Sequence, residues 1–332
     1  MEQFKPPAKS TIYKKIKECG VSKAILKRVL PLGWNESKLA TLDGLSEFSQ
    51  CLADRLGIDM HVANCGKVQF CAQPMYMQFK KRTTTDYSKL SDAAILVNAY
   101  GKAFINVLKS NNKTQLLEEF FCKLSQLEVI DLDKVVFLLW EHHIPVLYLD
   151  DFPSAVPRPA GVILKEDGLY VIVLSHKHKS PSTQLFVLLH EIGHLKYGHI
   201  KGTGLISDSS VSALGESLKE ETDQQEIEAD LFALDTLRCG VDVVSIIKQL
   251  GYIQRPAELA LQAQKLNRSS GIHPGHFVLS YGRETRNWIL AQQALKFLER
   301  GDAQATFKVH FREALDKYQF GEDEHELLQR LM

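Results

Sequence analysis

The chain has 332 residues, a hydrophobic fraction of 45%, and 40 basic side chains against 40 acidic ones, for a formal net charge of zero. That length accommodates two or three domains with a sizeable core, and the charge balance excludes a global electrostatic case for nucleic acid or membrane, leaving only local patches. No apolar run approaches a membrane span, the first residues lack a signal peptide's apolar region, and the six cysteines (19, 51, 65, 71, 122 and 239) show no CxxC spacing, so reduced thiols in a cytoplasmic protein with no membrane partner are expected.

Residues 1–38 carry nine Lys or Arg against three Glu. The Ile12–Ile16 and Ile25–Leu26–Val29 spacings predict two short helices, ended at Gly20 and Pro31, with Lys14, Lys15, Lys17, Lys27 and Arg28 on them. A helix, a Gly turn and a basic helix invite a helix-turn-helix reading. The residues expected in its turn and second core are missing, so a solvated basic arm is favoured and nucleic-acid contact through it is left open. Leu45, Phe48, Leu52 and Leu56 predict a third helix over 42–56. Val68–Phe70 and Met75–Phe79 read as one or two strands, Lys80-Lys81-Arg82 as a solvated turn, and 86–109 and 114–128 as helices. Residues 1–124 thus form a mostly helical domain with a packing or recognition role.

Asp131 caps a further helix that ends at His142-His143, adjacent histidines that suit a helix C-terminus better than a metal. Pro145–Leu149 reads as a strand, and Gly161–Leu164 and Leu169–Leu174 flank the hairpin signal Glu166-Asp167-Gly168. The expected core is therefore a small antiparallel sheet, with an edge strand able to hold an extended substrate. His176-Lys-His178-Lys reads as a solvated turn rather than a second metal site.

The stretch from Ser180 to His199 organises the rest. Ser180 or Ser182 can cap it, Pro181 suits the first helical position, and Leu185, Leu188, Leu189, Ile192 and Leu195 recur at helical spacing. His190 and His194 lie four apart, so both imidazoles leave one face about one turn apart, as two ligands of one tetrahedral zinc require. Glu191 stands beside the first, where its carboxylate can reach a water on the metal without ligating it. Gly193 leaves room beside the metal. The competing reading is two core histidines with a surface Glu.

A catalytic zinc needs a third protein ligand and an open position. Ile200 holds the place ten residues after His190 where a longer motif has His, and Tyr197 holds the place of its Gly. His199 falls on a different face of any continuing helix, where a dipole partner is expected. Glu226 is the candidate ligand. As a helix, Glu226, Ala229, Asp230 and Ala233 share a face whose small residues permit close packing on the zinc helix. Asp230, one turn on, is placed to accept a hydrogen bond from a ligand His. Glu228 competes as ligand but is turned away from the alanine face. A solvated acidic helix is the bland alternative, since residues 216–230 hold seven carboxylates and one Lys.

Residues 241–332 read as a helical segment, with helices over 241–250, 256–266, 286–298 and 303–318. Between them Ser269–His276 reads as a loop held by Pro274 and Gly275. His273, Tyr197 and Tyr281 are candidate donors to the oxyanion of a tetrahedral intermediate.

His190-Glu191-Ile192-Gly193-His194, followed by Glu226-x-Glu228-Ala229-Asp230-x-Phe232-Ala233, resembles the ImmA/IrrE family of zinc metallopeptidases. Ile144–Phe152 and Gly161–Ser182 resemble that family's strands and the approach to its active helix. The resemblance spans roughly residues 125–240, and more faintly 272–275. It departs at Asp230, where the family often has Asn, and in offering no clear helix-turn-helix domain.

The reading is therefore an α+β fold: a small antiparallel sheet with the two zinc helices in a 125–240 core, flanked by mostly helical segments. The expected activity is a zinc endopeptidase with Glu191 as general base. The resemblance implies regulatory cleavage of a protein partner, a DNA-bound helix-turn-helix repressor in a stress, mobile-element or phage-defence locus. A DNA-binding regulator and an antitoxin-like binding module that keeps zinc for stability remain as alternatives.

Overall fold

The computed structural model describes residues 6–62, 68–72, 76–80, 87–153, 156, 158–208 and 224–332. Helices α1 (Lys9–Glu18), α2 (Lys23–Val29) and α3 (Leu42–Leu56) open the chain, followed by strands β1 (Ile58–Val62), β2 (Val68–Ala72) and β3 (Tyr76–Lys80) and the long α4 (Tyr87–Ser110). Next come α5 (Leu117–Ser125), α6 (Leu132–Glu141), β4 (Val146–Tyr148), β5 (Gly161–Glu166), β6 (Leu169–Leu174), α7 (Pro181–Lys196), β7 (Gly204–Asp208) and α8 (Gln224–Arg238). The chain continues through α9 (Val243–Leu250), α10 (Pro256–Ser270), α11 (Pro274–Thr285), α12 (Trp288–Leu298), α13 (Ala303–Lys317) and α14 (Glu322–Leu328). Residues 81–82 of the basic turn and 209–223 of the acidic run lie outside the described residues. No helix among the described residues is long and apolar enough to cross a membrane, and Cys51, Cys122 and Cys239 are thiols.

The fold is α+β, built on a five-stranded sheet in the order β3-β7-β5-β6-β4. Its centre is the expected hairpin: Glu166 pairs with Leu169 across Asp167 and Gly168, whose φ values of 50° and 82° make the two-residue turn that matches the twist of paired strands. The sheet as a whole is mixed rather than antiparallel, because β4 runs parallel to β6 and β3 parallel to β7. β3 comes from a distant part of the chain and β4 reaches β6 past the intervening β5, so no turn signal announces either pairing.

Four successive residues of β5 and five of β6 are buried, so both faces of the sheet are covered. Leu164 of β5 lies under Gly101 of α4, while Gly161 lies under Glu191 of α7. Those two strand positions differ by an odd number, which puts α4 and α7 on opposite faces. The first core runs from Ile12 on α1 through the sheet and α7 and takes in Phe307 and Phe311 of α13 and Leu327 and Leu328 of α14. The lysines of α1 and α2 stay exposed, while Ile12, Ile16, Ile25, Leu26 and Val29 face that core.

Arg55, only 3% exposed, closes the N-terminal helices onto α14. It donates to the Val29 carbonyl and pairs with Asp323 and Glu326. A guanidinium buried to that extent is tolerable because each face of its fork finds an acceptor.

The second core is built by α9 to α12 around Ile247, Leu259, Phe277, Val278 and Tyr281. Of the loop expected at 269–276 only 271–273 remains, because α10 runs to Ser270 and α11 starts at Pro274. Pro274 occupies its first turn, and His273 is its N-cap, accepting the His276 N–H at Nδ1 (3.1 Å). Gly275 is required because a Cβ there would collide with Ser182 of α7. The glycine therefore permits close helix packing rather than a turn.

As an acceptor, His273 must be neutral, and burial lowers its pKa from 6.5 to about 4. Between those values the unfolded chain binds a proton that the folded chain refuses. This contribution to stability is therefore fully present above about pH 6.5 and is lost as the pH falls toward 4. Urea midpoints at pH 7 and pH 5 are expected to differ less for His273→Asn, which caps without titrating, than for the wild type. An unchanged pH dependence in the variant would show that His273 does not carry it.

Candidate functional site

Helix α7 starts cleanly because two side chains accept from the orphan N–H groups of its first turn. Ser180 accepts from Thr183 N (3.2 Å), and Glu299 accepts from Ser182 N (2.9 Å) and from Ser180 Oγ (2.6 Å). Pro181 lacks a donor to satisfy. Every residue from Ser182 to Leu195 is buried, so the helix is enclosed on all sides rather than half-seated. The sheet takes one side, and α6, α8 and α11 the others.

Helix α8 crosses α7 at the one point where both backbones can meet. A Cβ on Gly193 would lie 2.7 Å from Ala229 Cα, closer than real packing allows. Ala229 and Ala233 are wholly buried in that contact. The approach carries Glu226 to the His190–His194 face: the two Nε2 atoms lie 3.1 Å apart, and Glu226 oxygens lie 3.5 Å from His190 Nε2 and 3.4 Å from His194 Nε2. Bonds of about 2.0–2.1 Å at tetrahedral angles set donor atoms about 3.3 Å apart. Two imidazole nitrogens and a carboxylate that turns one oxygen toward each ring suit a divalent cation, and among the described residues they alone form such a group, one ligand atom from each lying within 4.8 Å of the others. Glu228, the competing ligand, is not in it.

The outer ring nitrogens are held as well. His190 donates from Nδ1 to Asp230 Oδ1 at 2.8 Å, and that carboxylate is an acceptor only, so the His190 proton is held outward. His194 Nδ1 meets His199 Nδ1 at 2.7 Å, and His199 Nε2 meets Glu228 Oε2 at 3.0 Å. The His199 contact arises because α7 does not continue. Gly198, at φ 62°, reverses the chain, with Gly198 N–H bonded to the Leu195 carbonyl and His199 N–H to that of His194. This Schellman pattern folds the His199 ring back beside His194. A Gly just past a helix is the sequence signal for it, and the assumption of a continuing helix hid it.

Residues 141–237 match the family model Peptidase_M78, described as an IrrE N-terminal-like domain. The segment is similar to an IrrE-like peptidase domain. Searches of curated proteins and of solved structures returned no significant match. The matched span runs from the end of α6 to α8, and so contains β4 to β7 and both helices of the donor cluster. Helices α1 to α5 and α9 to α14, strands β1 to β3, all of α6 but Glu141, and Arg238 at the end of α8 fall outside the span.

Within the IrrE-like domain Glu191 is 1% exposed and rests against Gly161 at the start of β5. That strand is interior, between β6 and β7, and among the described residues the edge strands are β3 and β4. The three candidate oxyanion donors fare differently. Tyr197 is half-exposed and stacks on His199 with ring centroids 5.8 Å apart. His273 caps α11 beside Ser182, about two turns of α7 before His190. Tyr281 belongs to the second core, where its hydroxyl donates to the Gly251 carbonyl and accepts from Ile253 N. His178 accepts from Ser180 N, and His142 donates to the Leu138 carbonyl, so both serve local backbone.

The two glycines separate what holds the site from what works in it. An added methyl at 161 meets first the Glu191 side chain, whereas one at 193 meets backbone. Gly161→Ala is expected to keep the fold and metal retention and to lose activity as the Glu191 carboxylate is displaced. Gly193→Ala is expected to cost about 1–3 kcal/mol of stability from overpacking and to weaken metal retention. Denaturant titration with elemental analysis reads both. Equal effects of the two substitutions on metal content would contradict the assignment.

Proposed function

We propose that the chain is a zinc-dependent endopeptidase, its metal held by His190, His194 and Glu226 and its general base Glu191. The observation that carries this reading is the convergence of two imidazole nitrogens and a carboxylate, 3.1–3.5 Å apart, on a helix face next to a buried Glu. Zinc, when bound, lowers the pKa of a coordinated water to about 7 and polarises the scissile carbonyl. Glu191 takes the proton of the attacking water and later delivers it to the leaving amine. Asp230 holds the His190 ring in the orientation and tautomer that a ligand needs. Tyr197, half-exposed at the rim, is the oxyanion donor most consistent with this arrangement, because Tyr281 and His273 are engaged elsewhere.

The substrate class follows from resemblance to the ImmA/IrrE family: a DNA-binding repressor cut to relieve repression in a stress, mobile-element or phage-defence locus. The parts of the chain outside the peptidase domain are then the natural place for partner recognition and for any nucleic-acid contact by the exposed lysines of α1 and α2.

The test pairs metal content with cleavage. Wild type, Glu191→Gln and Glu226→Ala are dialysed, assayed for zinc, and incubated with a helix-turn-helix repressor encoded beside the chain's own gene. Wild type and Glu191→Gln are expected to retain about one zinc each, with cleavage by Glu191→Gln reduced about 10²- to 10⁴-fold. Glu226→Ala is expected to lose both metal and activity. Wild-type cleavage by Glu191→Gln would remove Glu191 from the chemistry, and full zinc in Glu226→Ala would remove Glu226 from the ligand set.

A further inference from the structure

His199 and Glu228 have no part in the chemistry above, yet both stand in a hydrogen-bonded line that ends on His194. The two metal-facing imidazoles are backed in different ways. His190 meets a carboxylate directly, through Asp230. His194 meets, at its Nδ1, a second imidazole that in turn meets a carboxylate. Two facing ring nitrogens leave the protons undetermined: His199 could donate to His194, or the reverse. In the first case His194 would carry its proton on Nε2, the atom that points at Glu226 and His190, and could not ligate a cation.

We propose that Glu228, acting through His199, fixes His194 as the Nδ1–H tautomer and thereby leaves its Nε2 open to the metal. The assignment follows one proton at a time. An ionised carboxylate only accepts, so the 3.0 Å contact with Glu228 Oε2 places the proton of neutral His199 on Nε2. His199 Nδ1 is then a bare acceptor, and the 2.7 Å contact obliges His194 to donate from Nδ1. The lone pair of His194 Nε2 turns toward the cluster. Gln224 steadies the far end by donating from Nε2 to Glu228 Oε1 at 3.0 Å. His199 and Glu228 are therefore positioning residues, and the third acid on this stretch of α8 has a task distinct from those of Glu226 and Asp230. The consequence for zinc affinity rests on the proposed ligand set; the tautomer assignment does not.

The test separates the two. Long-range proton–nitrogen correlation on the metal-free full-length protein, labelled with ¹⁵N-histidine, reads which ring nitrogen of His194 carries hydrogen. Its resonances are identified by their absence from His194→Gln. Wild type is expected to show Nδ1–H alone. His199→Phe is expected to show a mixture of tautomers. Glu228→Ala, a change at a side chain 36% exposed, removes the acceptor without threatening the fold and is expected to do the same. His199→Asn places an amide oxygen near the lost Nδ1 and is expected to restore Nδ1–H. In zinc competition titrations His199→Phe should bind about 10- to 100-fold more weakly than wild type, the usual cost of losing such a partner, with most of that recovered in His199→Asn. Nε2–H in the wild type, or an unchanged tautomer in both His199→Phe and Glu228→Ala, overturns the proposal. A held Nδ1–H in a protein that binds no zinc leaves the proposal standing and removes the metal reading instead.

Discussion

The structure around the donor cluster depends on one close approach, that of the α7 and α8 backbones at Gly193 and Ala229. Helix axes ordinarily pack 8–10 Å apart, at a distance set by the side chains between them. Here one helix offers no side chain and the other only a methyl, so carboxylates of ordinary length can reach imidazoles on the neighbouring helix. A larger residue at either position would push α8 outward and leave Glu226 and Asp230 short of their partners. The geometry of the donor cluster thus rests on a packing contact that contains no functional group.

Around that contact the rest of the domain works as enclosure. The sheet closes one side of α7 and brings Gly161 beneath Glu191, and Glu299, from the end of α12, caps the helix start. The second core reaches α7 through Gly275 and Ser182, and the first core continues into α13 and α14. Residues outside the matched peptidase segment therefore supply part of the support for its central helix.

What was legible in the sequence is what is local. The four-residue spacing of His190 and His194 sets both rings on one face of any helix that forms, and Ser180-Pro181 marks its start. The Ala229–Ala233 face ranks Glu226 above Glu228 because small residues show which side of α8 packs. Asp167-Gly168 announces its turn for the same reason. Less legible were features that need a partner from elsewhere. The pairing of β3 with β7 joins segments on either side of the domain, and neither strand signals the other. The start of α11 looks like a loop because Pro and Gly serve helix starts and tight packing as well as turns. His199 was misplaced by extending α7 one turn too far, past a Gly that ends it.

The acids that face this site share a further property. Glu226, Glu228 and Asp230 lie within five residues of one another, on little more than one turn of α8. They contact the His190–His194 pair, His199 and His190 respectively. A rigid helix transmits a shift to all of its residues together. Sliding or lifting α8 relative to α7 by a fraction of a turn would thus break three contacts in one step, with no intermediate in which the cluster is half assembled. The arrangement makes the site's readiness a property of a single mechanical coordinate, the seating of one helix on another.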